Sequence, residues 1–316
     1  MITIPGISPL LMWIGFLLLI AIFLIIDLGI FNKKQHAITV KEALIWVAIW
    51  ISIALIFNVF VWIEWGYETG LKFLAGYLLE KSLSIDNIFV IFLIFMSFKI
   101  EPKYQHKILF WGITGAIFLR GTLILAGTAL VSKFQWILYF FGIFLIYSGI
   151  HMVFKKDEDI DPHNSWIVKT IHKIIPVSKK HNGKFFVKYN KKNDKKTAVT
   201  ILFVSLLVIE FTDVVFAFDS IPAIFGITTD PFIVFTSNIF AILGLRSLYF
   251  VIAKIHDMFV FLQYGLALVL IFIGVKMIVE EFIHISIGIS LGIVFFTLFT
   301  SIITSMVFGK KIKNNK

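Results

Sequence analysis

Long apolar stretches recur along the whole chain, and each is long enough to cross a membrane as a helix. A hydrocarbon core of ~30 Å requires about 20 helical residues. Only 15% of the residues are charged and 59% are apolar, too hydrophobic a composition for a soluble globular protein. We therefore predict an all-α, polytopic membrane protein with a single membrane domain over residues 1–316 and about nine transmembrane helices. The predicted spans are 9–30, 43–63, 71–98, 108–131, 134–154, 198–226, 231–253, 258–279 and 285–308.

Composition also excludes several classes of function. The chain has no cysteine, which rules out disulfides, zinc fingers, iron–sulfur clusters and thiol catalysis. It has no Gly-x-x-x-x-Gly-Lys loop for ATP. The net charge of +10 is better explained by an anionic membrane surface than by nucleic acid. We expect neither an enzyme nor a nucleic-acid partner, and the lipid bilayer is the first partner.

Lysines predict the orientation, because short loops rich in Lys and Arg stay in the cytoplasm. Basic connections follow the first, third and fifth spans, and the chain ends in a basic tail within residues 280–316. This pattern places the N-terminus outside and the C-terminus in the cytoplasm. The connection 155–197 is then a basic cytoplasmic loop. Apolar residues at helical spacing within 166–175 fit either a helix on the membrane surface or a flexible linker.

Three short motifs recur in the same order at almost the same separation. The offsets are 127, 126 and 125 residues, so a chance origin is improbable. Each matching unit contains an odd number of spans, so the second must lie inverted relative to the first. We therefore predict an inverted repeat of three spans each, 71–154 and 198–279, followed by a last helix and tail, 280–316. The matches are 86–90 with 213–217, 119–121 with 245–247, and 149–153 with 274–278.

Ionisable residues inside the predicted spans indicate a cation site. Each charge at the bilayer centre costs ~2.5–3.5 kcal/mol even on a lenient scale, so each needs a partner or a purpose. Six acids stand against three bases, an excess of three negative charges. The acids are Asp27, Glu80, Asp86, Glu210, Asp213 and Asp219, and the bases are Lys81, Arg120 and Arg246.

We assign these side chains separate roles. The expected ligands are above all Asp86, Asp213 and Asp219, and the wider set adds Glu80, Glu210, Asn87 and Ser84. Such oxygen donors suit Mg²⁺, Ca²⁺ or Mn²⁺. We expect Pro222 to break the sixth span and free backbone carbonyls beside the site. We expect charge compensation from Lys81 near Glu80, and from Arg120 and Arg246, which would hold Glu80 and Glu210.

Other interpretations remain open at this stage. Asp27 fits a gate or a solvated carboxylate at a helix end. The acids as a group can also pair with the three bases and only fix helix packing. In that case the protein would be a membrane scaffold. An intramembrane aspartyl hydrolase has little support, because the Gly-x-Gly-Asp pattern is absent.

Four stretches contain the acidic motifs and their neighbours: 27–31, 80–87, 210–223 and 236–246. They resemble the corresponding stretches of the TerC family of integral membrane proteins. The resemblance implies a multi-pass Mn²⁺ exporter of the bacterial cytoplasmic membrane, related to the LysE transporter superfamily. It also implies exported metalloenzymes as partners outside the cytoplasm. Separately, export of a divalent cation runs against the inward-negative potential, so we expect protons as the coupling ion. The alternative in this family is a scaffold for tellurite or stress resistance, or for metalation of exported proteins.

Overall fold

The computed structural model describes residues 8–31, 39–154, 176–178, 183–191, 194–255 and 261–313. Within these residues the chain is almost entirely helical, and one small sheet lies between the fifth and sixth helices. The helices are α1 Pro9–Phe31, α2 Val40–Trp65, α3 Tyr67–Ser97, α4 Pro102–Lys133, α5 Ile137–Phe154, α6 Ile201–Phe225, α7 Pro231–Leu243, α8 Leu245–Ile255, α9 Leu262–Val279 and α10 Ile287–Lys313. The strands are β1 Val177–Ser178, β2 Phe186–Lys191 and β3 Asp194–Thr200.

The prediction of an all-α polytopic membrane protein is confirmed. Of the described helices, seven are long and apolar enough to cross a membrane, and the pair α7 and α8 makes eight if it forms one bent span. At 31 residues α3 is also long enough, but it carries Glu80, Lys81 and Asp86, so its composition alone does not mark it as a span. The total of nine spans therefore stays a prediction.

Local sequence explains where several helices begin and end. Pro231 starts α7, and the preceding Asp230 caps it by accepting hydrogen bonds from the N–H groups of Phe232 and Ile233 at 3.0 and 3.2 Å. At the end of α3, Lys99 adopts φ +53°, and the N–H of the following residue bonds back to the carbonyl of Phe95 at 2.9 Å. These caps mark the end of α3 and the start of α7.

The expected break at Pro222 is wrong, because α6 continues through Pro222 to Phe225. Only three residues of α6 follow Pro222, so the backbone hydrogen bond that proline cannot donate is lost near the end of the helix. The break occurs instead in the next span, where α7 ends at Leu243 and α8 begins at Leu245 with a bend of 43°. Gly244 lies at the corner.

The basic connection contains strands, which were not predicted. β3 pairs in parallel with β1 and antiparallel with β2, so the order is β1-β3-β2. Val199 pairs with Val177 on one side and with Phe186 on the other. The predicted start of the sixth span at residue 198 is therefore three residues early, because β3 runs into α6. The suggested surface helix at 166–175 lies outside the described residues.

Small residues bring α5 and α9 into close antiparallel contact. A Cβ placed on Gly142 would lie 2.9 Å from the carbonyl oxygen of Gly274, and one placed on Gly149 would lie 2.7 Å from that of Ala267. At the repeat offset of 125, Gly142 corresponds to Ala267 and Gly149 corresponds to Gly274. The contact between Gly142 and Gly274 therefore corresponds to the contact between Ala267 and Gly149. An inverted repeat predicts such reciprocity, although the repeat itself stays a prediction.

The helix α3 lies at the centre of the bundle and packs against α2, α6, α7, α8 and α10. Aromatic side chains fill the space around its first half, where Phe57 of α2 contacts both Phe73 of α3 and Phe240 of α7. The second half of α3 packs with α4, α6 and α8 in another buried cluster that includes Ile88 and Tyr249. Glu80, Lys81 and Asp86 lie where the two apolar clusters meet, since Leu83 belongs to the first cluster and Ile88 to the second.

Candidate ion-binding site in the helix bundle

Arg120 of α4 links the acidic residues of α3 and α6. Its guanidinium donates to both carboxylate oxygens of Asp213, from Nε at 2.9 Å and from Nη2 at 2.6 Å. Its Nη1 also donates to Glu80. Arg120 and Glu80 are buried, whereas Asp213 is half-buried. Bidentate pairing of this kind uses the fixed fork of the guanidinium and orients both partners.

Asn87 of α3 extends this network. With its amide oriented to satisfy both neighbours, its oxygen accepts from Arg120 Nη2 at 3.2 Å and its nitrogen donates to the carbonyl of Leu83 at 3.3 Å. Ser84, one turn earlier on the same helix, is fully buried, and its hydroxyl has no hydrogen-bond partner in the described part of the chain.

A small, partly open cavity lies beside this network, between α3, α4, α6 and the α7–α8 corner. Its polar lining consists of Asn87, Glu210, Thr212 and Asp213. Its other walls are apolar and include Ile242 and Leu245 from the two sides of the corner. An apolar cavity with a few convergent polar groups is the usual form of a small-ligand site.

Glu210 is the unpaired acid of the cavity. It forms no hydrogen bond or ion pair with the residues that the structure describes, and its buried Oε2 has no partner. Gly115 of α4 makes room for it, because a Cβ at Gly115 would overlap the carboxylate. The expected pairing of an arginine with Glu210 is therefore wrong: Arg120 binds Asp213 instead, which lies one turn further along α6.

Asp219 lies in a separate polar contact. Its Oδ1 accepts from the hydroxyl of Ser148 on α5 at 2.7 Å. Six residues separate Asp219 from Asp213, which is ~9 Å along an α-helix. Asp86 is half-buried on α3, is not part of the cavity lining, and forms no hydrogen bond or ion pair with described residues.

The structure does not bring Asp86, Asp213 and Asp219 together as one ligand cluster. Among the described residues, no group of three or more His, Asp or Glu side chains is placed to hold a metal ion. The physical reason is that Arg120 engages Asp213 while Asp219 bonds to α5. An ion in the cavity would meet Glu210 and Asp213 first.

The remaining predicted residues lie elsewhere. Lys81 does not compensate a carboxylate as expected: its Nζ donates to the carbonyl of Ala241 on α7 at 3.1 Å. Arg246 is buried at the start of α8 and has an interaction partner there. The side chain of Asp27 lies outside the described part of the structure.

Sequence reasoning missed three contributors to this region: Thr212, Gly115 and Ser148. Thr212 precedes Asp213 directly and was an available signal, because a hydroxyl beside an intramembrane acid is a further oxygen donor. Gly115 and Ser148 gave no signal, because their roles depend on which helices pack against α6.

Comparison with known proteins decides the family. The model of the TerC family of integral membrane proteins matches residues 65–313. The chain belongs to the TerC family. A Myxococcus xanthus membrane protein of uncharacterised function is 44% identical over 281 residues, which are 89% of this chain and 87% of that protein. A proposed membrane-bound redox modulator, Alx, of Escherichia coli K12 is 42% identical over 290 residues, 88% of each chain.

A further relative, from Rickettsia felis, is described only as an uncharacterised membrane protein and is 45% identical over 274 residues, 86% of this chain and 90% of its own length. No solved structure matches the chain at a significant level. The family thus covers all the helices from α3 to α10, including every residue of the Arg120 network.

Proposed function

We propose that this TerC family member exports a divalent cation, with Mn²⁺ as the expected cargo, through the cavity beside Arg120. The family resemblance supports transport, and the residues around the cavity support a cation as the substrate. Carboxylate, amide and hydroxyl oxygens converge there without sulfur ligands. Hard oxygen donors suit Mn²⁺, Mg²⁺ or Ca²⁺, and we propose Mn²⁺ among them because the resemblance of the acidic motifs implies it.

The observation that carries the proposal is the charge of the network. Glu80, Asp213 and Glu210 bring three negative charges when ionised, and Arg120 brings one positive charge. A formal charge of −2 therefore remains at membrane depth, where an uncompensated charge costs ~2.5–3.5 kcal/mol or more. One divalent cation in the cavity would neutralise it.

Arg120 gives the site a physical mechanism for release. An entering cation would compete with the guanidinium for Asp213 and bind between Asp213 and Glu210, while Arg120 keeps its contact with Glu80. When the cation leaves, Arg120 again occupies Asp213. Because the guanidinium returns to Asp213, the carboxylate is not left uncompensated when the site is empty. A transporter must pass through this empty state in every cycle.

Export needs an energy source. If the protein lies in the bacterial cytoplasmic membrane, moving each positive charge outward costs ~2.3 kcal/mol per 100 mV of inward-negative potential. We infer that protons return on the carboxylates that the metal has left, because the chain has no ATP-binding loop. We propose the orientation that the lysines predict, with the N-terminus outside and the C-terminus in the cytoplasm. The metal is then released outside, where exported metalloenzymes can receive it.

One specific observation favours a second candidate function. The ion pairs of Arg120 are also what a purely structural role predicts, and the protein would then be a membrane scaffold in stress resistance or in metalation of exported proteins. The Alx relative is named as a proposed redox modulator, and this chain has no cysteine with which to carry out thiol redox chemistry itself. Glu210 distinguishes the candidates, since an unpaired acid contributes nothing to a scaffold.

Metal content of living cells tests the proposal. Cells that depend on this protein for manganese tolerance should accumulate manganese when Glu210 is replaced by Gln. The matched control is Glu64→Gln, which changes an exposed glutamate at the end of α2. Equal manganese content in the two variants, at equal protein levels in the membrane, would favour the scaffold.

A further inference from the structure

The corner between α7 and α8 leaves backbone carbonyls without helical partners at membrane depth. The last carbonyls of any helix lack intrahelical N–H donors, and in a membrane such groups need another partner. Lys81 of α3 supplies one, because its Nζ donates to the carbonyl of Ala241 in the last turn of α7 at 3.1 Å. A cation at a helix C-terminus is also favoured by the helix dipole.

Glycine at the corner makes room for this ammonium group. A Cβ on Gly244 would lie 2.8 Å from the Nζ of Lys81 and 3.1 Å from the Cβ of Trp50. Trp50 is a buried residue of α2, so the lysine head is enclosed between α2, α3 and the corner. Both the bond and the space for it depend on residues from three different helices.

The same corner forms a wall of the cavity. Ile242 and Leu245, on either side of Gly244, line the cavity together with Glu210 and Asp213. On α3 the residue before Lys81 is Glu80, which Arg120 holds. Adjacent residues of α3 thus contact the acidic network in one direction and the α7–α8 corner in the other.

On the basis of the proposed transport function, we propose that Lys81 is a latch: its bond to Ala241 holds the α7–α8 corner in the described conformation, and the corner must release it to open the cavity to the other side of the membrane. Hinges of transporters lie at such interrupted helices, where a few residues absorb the change in direction. The latch acts through the corner and does not itself bind the cargo.

Thiol labelling tests the latch without measuring transport. The chain has no cysteine, so Ala116→Cys introduces a single thiol into the cavity wall. Its labelling by a membrane-impermeant maleimide is measured in sealed vesicles of both orientations. The ratio of the two rates reports which side of the membrane the cavity faces.

Two further substitutions in this background should shift the ratio. Lys81→Met removes the ammonium but keeps the stem, and Gly244→Ala occupies the space of the ammonium. Each should raise labelling from the less accessible side by about tenfold, which corresponds to ~1.4 kcal/mol, the order of one hydrogen bond to a charged group. Lys72→Met, elsewhere on α3, should leave the ratio unchanged.

Lys81→Arg, which keeps a cation on the same helix face, should shift the ratio less than Lys81→Met does. Variants are compared only when they elute as single species in detergent, and Gly244→Ala provides the test if Lys81→Met does not fold. An unchanged ratio in a folded Lys81→Met or Gly244→Ala variant would overturn the latch. The labelling assay uses no metal, so its result does not depend on whether the protein transports a cation. Conversely, a negative labelling result would leave the proposal of metal transport standing.

Discussion

Arg120 on α4 binds Asp213 on α6 through two hydrogen bonds, at 2.9 and 2.6 Å, and the same guanidinium holds Glu80 on α3. Three helices are thereby joined at one buried cation. A buried ion pair that loses one partner is costly, because the remaining charge is left uncompensated in a medium of low dielectric constant. The stability of the bundle and the state of the cavity both depend on this contact.

Replacing Arg120 by Met should destabilise the protein by about 3–5 kcal/mol, because Glu80 and Asp213 would lose their cation. The measurement is the midpoint of thermal unfolding in detergent, followed by tryptophan fluorescence. The control is the triple variant Arg120→Met, Glu80→Gln, Asp213→Asn, which removes all three charges and should recover much of the loss. A single variant as stable as the triple variant would contradict the prediction.

Loss of charge at Glu210 and at Asp213 should affect the free energy of unfolding differently, although the two residues lie one turn apart on α6. Glu210→Gln removes an unpaired carboxylate and should leave the unfolding free energy unchanged or raise it. Asp213→Asn weakens the hydrogen bonds to Arg120 and should cost about 1.5–3 kcal/mol. Chemical denaturation of the two variants in the same detergent gives the comparison, and equal losses would show that Glu210 has a structural partner.

Gly274 should tolerate no larger residue, because a Cβ there would lie 2.5 Å from the carbonyl oxygen of Gly142. Gly274→Ala should destabilise the protein by about 1–3 kcal/mol, as overpacking does in other well-packed cores. Gly292→Ala on α10, where a Cβ would meet nothing within 4 Å, is the control and should be neutral or stabilising. Thermal unfolding midpoints that fall equally in both would refute close α5–α9 packing.

Ser148→Ala should cost about 1.5–3 kcal/mol, because the Asp219 carboxylate would lose its hydroxyl donor from α5. Ser132→Ala is the matched control: that hydroxyl is exposed and bonds only to the carbonyl of Ala129 in its own helix. Denaturant unfolding curves of the two variants should therefore differ. Identical curves would mean that Asp219 finds another partner when the serine is absent.

Much of the fold could be predicted from the sequence because membrane helices are specified by length and hydrophobicity. Most predicted spans agree with the helices to within a few residues. The three-residue error at the start of α6 arose because Ala198 and Val199 are apolar and buried, so hydropathy cannot separate them from a membrane span. Their strand pairing is with Val177 of β1 and with Phe186 and Val187 of β2, and a hydropathy pattern does not report such pairing.

The candidate site was predicted in its composition but not in its pairing. Intramembrane charge identified Glu80, Arg120, Glu210 and Asp213 without knowledge of the packing. Which acid Arg120 binds depends on the relative rotation of α4 and α6, and no local pattern encodes that. Lys81 was wrongly assigned to a carboxylate because its partner, the carbonyl of Ala241, lies at a helix end that the sequence did not indicate. No proline marks the corner at Gly244.

Metal flux in liposomes tests the central claim most directly. Purified protein is reconstituted into vesicles loaded with a metal-sensitive dye, and uptake of Mn²⁺ is compared with that of Mg²⁺, Ca²⁺ and Zn²⁺. The account predicts Mn²⁺ flux for the unmodified protein and for Glu64→Gln, and flux reduced to that of empty liposomes for Glu210→Gln. Mn²⁺ flux that is absent from the unmodified protein, or retained in full by folded Glu210→Gln, would contradict it.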